Sequence, residues 1–145
     1  MPGSRTPSTA AVALVVALGG GCGSVLRYEL ERSIHPAHNG YPVATLLINL
    51  IGSLLLGALI VAVTEVWRPH PLVRPLLGTG VLGGFTTFST FAVETRTLSA
   101  GLTTAYIASS VIGGVALAAV GMAVARRFAR PGPHGVADAL DPDLP

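Results

Sequence analysis

Polar side chains recur at regular spacing inside stretches of this chain that are otherwise apolar. Thr45, Asn49 and Ser53 fall at every fourth residue, which places them on one face of a helix. Tyr106 and Ser110 are also four apart, with Thr103 close in phase. Such faces must point inward in a membrane, because lipid cannot satisfy them. The Ser and Thr hydroxyls suit hydrogen bonding between helices as well as they suit a pathway. Asn49 is the costliest of the set to bury, and its polar neighbours point to a pathway role.

A second kind of chemistry is carried by the segment Gly78-Thr79-Gly80-Val81-Leu82-Gly83-Gly84-Phe85-Thr86-Thr87-Phe88-Ser89-Thr90-Phe91. Glycine and β-branched threonine both disfavour helix continuation. Their density predicts a helix break within residues 78–87. A break inside a bilayer exposes main-chain carbonyls and amides, which are tolerated only when buried or lining a cavity. Such breaks can coordinate ions. Phe85, Phe88 and Phe91 follow at every third position. Taken alone, this stripe reads as aromatic packing.

The elements that must hold these residues are set by where charge is missing. The chain has 145 residues, of which 50% are hydrophobic and only 11% charged, against about 25% charged in an average soluble domain. The mean hydropathy is +0.65. Four runs lack Asp, Glu, Lys and Arg: Ala10–Leu26 (17 residues), Val43–Thr64 (22), Leu76–Val93 (18) and Leu102–Ala125 (24). A membrane-crossing helix needs about 17–25 such residues. The expected fold is therefore an all-α membrane protein with four transmembrane helices, the third broken mid-membrane. The four-helix transmembrane domain is expected over 10–127, with disordered tails at 1–9 and 128–145, which are Pro/Gly-rich and polar. The first and third runs are short and need flanking residues to span.

A single cysteine and a net charge of +2 exclude a disulfide scaffold, a Cys-based zinc site and a strong nucleic-acid footprint. Arg5 followed by the apolar Ala10–Leu18 also fits a signal peptide, with Cys22 as a lipidation site. Gly19, Gly20 and Gly21 precede Cys22, however, without the leucine that such a site requires, and Cys22 reads better as a small residue in a packed helix. Gly19 and Gly23, Gly52, Ser53 and Gly57, and Ala105, Ser109 and Gly113 mark close helix packing. Four spans put Arg5, Arg68, Arg74, Arg126, Arg127 and Arg130 on one side and Arg27, Arg32 and Arg96 on the other. Six against three is a weak bias toward both termini inside, and a weak bias permits both orientations.

Gly83 to Phe91, Gly-Gly-Phe-Thr-Thr-Phe-Ser-Thr-Phe, resembles the signature of the small fluoride channels called Fluc or CrcB. Gly19, Gly20, Gly23, Arg27 and Tyr28 resemble that family's first-helix motif, and Thr45, Leu46, Asn49, Gly52 and Ser53 its second. The resemblance runs from about Gly19 to Arg127. It implies an antiparallel homodimer with two pores in a prokaryotic plasma membrane. It implies that Asn49, Thr45, Ser89, Thr90, Tyr106 and Ser110 supply donors to fluoride. It implies that Phe88 and Phe91 present ring edges from different subunits, while Phe85 packs. The carbonyls of Gly83 and Thr86 from both subunits would hold one structural Na⁺, and Arg27 would draw anions to the vestibule or anchor the helix at the interface. Glu94 is expected at the vestibule edge, paired with Arg96 or Arg27, and its role is left open.

Two other functions compete. A small multidrug-type proton-coupled exporter would need a carboxylate in the middle of its first helix, and Ala10–Leu26 has none. An intramembrane enzyme would need a Ser/His or Asp constellation at membrane depth, and His35, His38, His70 and His134 all fall in loops or the tail. No G-x-x-x-x-G-K-[ST] phosphate loop occurs, so the expected transport is passive.

Overall fold

The computed structural model describes residues 7–35, 40–66 and 69–129. All regular structure among them is helical. Helix α1 spans Thr9–Ser33 and is capped by Ser8, whose hydroxyl accepts from the Ala11 amide at 3.2 Å. Helix α2 spans Val43–Val61 and widens into a π-helical turn at Ala62–Val66. The third span starts as a π-helix over Pro75–Leu82, passes into α3 (Gly83–Phe85) and resumes as α4 (Phe88–Glu94). Helix α5 runs over Ala100–Phe128, with Arg126 and Arg127 in its last turn, where cations complement the helix dipole.

Four spans of 25, 24, 20 and 29 residues are long and apolar enough to cross a membrane. At about 1.5 Å per residue the shortest reaches roughly 30 Å, one hydrocarbon core. The short first run gains its length from the residues after Leu26, which stay helical to Ser33. Helix starts at Thr9 and ends at Phe128, one residue outside the expected 10–127 at each end. Most of both expected tails, with Arg5, Arg130 and His134, lies outside the described residues, as do His38 and Arg68.

The spans pack as two pairs, α1 against the third span and α2 against α5. Both seams run on small residues, as their spacing predicts. A methyl group at Gly23 would strike the Val81 carbonyl oxygen, and one at Gly57 the Ala118 carbonyl oxygen. Backbones that approach this closely compensate for the missing hydrophobic drive between helices in lipid. The side chains facing outward are apolar, among them Leu14, Leu18, Val111, Ile112 and Val115. In water such faces would aggregate; in lipid they are the proper surface. Ile48, Val61, Phe85 and Tyr106 are buried.

The third span departs from helix at two residues. Thr86 has φ −78° and ψ 158°, and Thr87 has φ −143° and ψ 123°. Both are extended, which suits β-branched side chains. Gly83 and Gly84 precede them and give the helix little reason to continue. Thr87 then starts α4 as its N-cap, with its hydroxyl accepting from the Thr90 amide at 3.2 Å.

Candidate functional site

The extended pair at 86–87 is held from α2. The Asn49 side-chain nitrogen donates to the Thr87 carbonyl at 2.9 Å, and the Thr87 amide donates to the Asn49 side-chain oxygen, also at 2.9 Å. A buried break must satisfy its main-chain groups, and one carboxamide does this for both groups of Thr87. Asn carries two N–H donors, so one remains beyond this clamp.

Asn49 opens onto a cavity of about 390 Å³ that is also lined by Ser53, Gly83, Thr86, Phe88, Phe91 and Ser110. The Ser110 hydroxyl is buried with no protein partner among the described residues. The rings of Phe88 and Phe91 lie 5.8 Å apart at 38°. Phe88 is 80% exposed, whereas Phe91 also meets the Tyr106 ring at 5.1 Å. Gly83 and Thr86 contribute to the same cavity; their main-chain oxygens are hard donors of the kind that suit an alkali cation. No cluster of His, Cys, Asp or Glu able to hold a metal occurs among the described residues.

A second cavity, of about 350 Å³, is lined by Thr45, Thr90, Glu94, Glu31 and Tyr41. Here Glu94 is the organising group. Thr45 donates to one carboxylate oxygen at 2.8 Å and Tyr106 to the other at 2.7 Å. Glu94 therefore faces hydroxyls, which corrects the expected pairing with Arg27 or Arg96. Arg27 is drawn elsewhere: its Nε donates to the Gly84 carbonyl at 3.3 Å, and its guanidinium lies 3.7 Å from Glu31. Arg96 is exposed.

The expected pathway residues thus divide. Asn49, Ser110, Phe88 and Phe91 share the first cavity, and Thr45 and Thr90 the second. Tyr106 is fully buried and bridges them through Phe91 and Glu94. Ser89 is exposed and lies 3.3 Å from the Thr87 hydroxyl. The Thr87 hydroxyl donates to that of Thr90 at 3.0 Å, which leaves the Thr90 hydrogen free to act as donor.

Three participants have no role assigned by sequence. Glu94 had no assigned role. Thr87 carries an N-cap signal that becomes readable only once the break is placed. Tyr41 follows the left-handed Gly40 (φ 75°), stacks edge-on against Tyr106 at 5.6 Å and shares a 2.7 Å hydrogen bond with Ser109. Its signal is that of an aromatic residue at a membrane interface.

Four spans, two cavities that carry polar side chains and a helix broken beside an inward-facing Asn define a small multi-pass membrane protein. Residues 14–122 match the family described as "CrcB-like protein, Camphor Resistance (CrcB)", and the chain belongs to it. It is similar to "Fluoride-specific ion channel FluC 2" of Nocardia farcinica, 42% identical over 129 residues covering 86% of this chain and 92% of the relative. It is 44% identical over 117 residues to "Fluoride-specific ion channel FluC 2" of Bacillus subtilis, covering 79% and 87%. A match to "Fluoride-specific ion channel FluC 2" of Streptomyces avermitilis is 48% identical over 89 residues, and covers 61% of this chain but 56% of the relative. These relatives give no support to the proton-coupled exporter, and the carboxylates of α1, Glu29 and Glu31, stand in its last turns.

Proposed function

We propose that the chain forms a passive fluoride-selective channel of the bacterial plasma membrane. The observation that carries this reading is the first cavity, where the spare Asn49 N–H, the unpartnered Ser110 hydroxyl and the Phe88 and Phe91 rings converge. Fluoride holds its water tightly, and a pore must replace that shell with donors and positive ring edges. The second cavity adds Thr45 and Thr90, with the buried Tyr106 behind them, although Glu94 takes the Thr45 and Tyr106 hydrogens.

Hydrogen fluoride is a weak acid that crosses membranes uncharged and ionises in the cytoplasm. A potential negative inside then drives the anion out with about 2.3 kcal/mol per 100 mV. Export needs only a selective opening. We also propose that the working unit is an antiparallel homodimer. The 80% exposure of the Phe88 ring at the cavity mouth supports a second copy completing the wall. Gly83 and Thr86 of both copies would hold a central Na⁺ through main-chain oxygens, whose charge offsets the cost of anions deep in the membrane. Arg27, on the Gly84 carbonyl, would add positive potential near the entrance.

The test is efflux from liposomes containing the purified protein, fluoride against chloride, with crosslinking in the same vesicles. Fluoride flux well above chloride flux and a crosslinked dimer are expected. Equal rates would remove the fluoride assignment, and a protein that conducts while crosslinking only as a monomer would remove the dimer.

A further inference from the structure

In a continuous α-helix each amide bonds the carbonyl four residues earlier. The Thr87 amide would then occupy the Gly83 carbonyl, and the Thr90 amide the Thr86 carbonyl. Neither amide does so here. The Thr87 amide is taken by the Asn49 side-chain oxygen at 2.9 Å. The Thr90 amide is taken by the Thr87 hydroxyl at 3.2 Å. The amide of Thr86, which could reach back to Gly83 only in a tighter turn, instead bonds the Leu82 carbonyl at 3.0 Å. Two side-chain acceptors thus intercept the two amides that regular helix would spend on these carbonyls.

We propose that Asn49 and Thr87 are positioning residues for the cation: by intercepting these amides they free the Gly83 and Thr86 carbonyls to bind it. This inference rests on the reading of Gly83 and Thr86 as the Na⁺ ligands. It gives Asn49 a task separate from donating to an anion. It also gives the Thr87 hydroxyl a task beyond lining the first cavity: the residue is buried, and its oxygen is engaged by Ser89 and Thr90. Of the Thr-Thr pair, Thr86 needs only its carbonyl, whereas Thr87 needs a side chain that can accept at an N-cap.

The measurement is the melting temperature of the full-length protein in detergent, titrated with NaCl against choline chloride at constant ionic strength. It requires no fluoride and no flux. The wild-type melting temperature should rise with Na⁺ to a definable midpoint. Thr87→Val keeps the branched shape but loses the acceptor, and should move that midpoint up by about 10–100-fold, the usual cost of losing a second-layer partner of a metal ligand. Thr87→Ala should do the same and serves where Thr87→Val does not fold. Asn49→Ala, which releases the Thr87 amide, should move it likewise. Thr87→Ser keeps the cap and should restore the wild-type midpoint. A purely structural role would lower the melting temperature in both salts alike and leave the midpoint in place; that result, or a Thr87→Ser midpoint displaced as far as that of Thr87→Val, would overturn the inference. A wild-type protein indifferent to Na⁺ would overturn the cation reading itself and this inference with it.

Discussion

Tyr106 donates its hydroxyl to Glu94 across 2.7 Å, joining α5 to the end of α4. Thr45 completes the arrangement from α2 at 2.8 Å. Three elements therefore meet on one carboxylate, and among the described residues no cation pairs with it. The donors are neutral hydroxyls, so each can also act as acceptor if the group opposite them changes.

That exchangeability gives a prediction at Glu94. Glu94→Gln keeps an oxygen for one hydroxyl and offers an N–H to the other, so the melting temperature in detergent should stay near wild type. Glu94→Ala leaves the buried Thr45 and Tyr106 hydroxyls without an acceptor and should cost about 1–3 kcal/mol per orphaned group. Equal melting temperatures for the two variants would show that the triad is not a stabilising unit.

At Phe91 the expectation separates ring edge from ring bulk. Phe91→Ile preserves most of the volume but removes the positive edge. Repacking against Tyr106 should cost about 1.5 kcal/mol or less, so the variant should fold. Fluoride efflux from liposomes should nevertheless collapse. Survival of flux would assign the ring to packing.

Asn49→Ala should reduce efflux steeply in protein that still crosslinks as a dimer, because it removes both the spare donor and the clamp on Thr87. Thr86→Ser should be tolerated, since the group used there is the carbonyl. Normal efflux in Asn49→Ala, with the dimer demonstrated, would leave the first cavity without a role for that residue.

The seams give a prediction free of any ion. A methyl at Gly23 would meet the Val81 and Phe85 main chain, whereas one at Gly21 would meet nothing within 4 Å. Gly23→Ala should therefore destabilise by about 1–3 kcal/mol, the usual range for overpacking. Gly21→Ala should be neutral or slightly stabilising, because alanine is the better helix former. Thermal unfolding of the two variants side by side is the check.

The four spans were legible because a membrane segment announces itself through missing charge, and because Gly19, Gly23 and Gly57 fall where backbones must touch. Asn49 stood out as a costly polar group at membrane depth. What it binds did not, since Thr87 is 38 residues away and no spacing rule connects them. Glu94 was misjudged for a similar reason: charge suggested an arginine, but α1 carries Arg27 to the Gly84 carbonyl instead. The π-helical opening of the third span, Pro75–Leu82, has no sequence periodicity of its own to reveal it.

The glycine seams bear on how such a chain can change over time. Where a Cα faces a carbonyl oxygen, as Gly57 faces Ala118 and Gly121 faces Leu54, the neighbour is main chain and cannot rotate aside. A substitution there has no small intermediate step, because alanine is already the smallest increment. Lipid-facing positions have no such restriction. Drift can therefore alter the outer surface residue by residue, while the spacing between paired helices stays fixed unless both sides of a seam alter together.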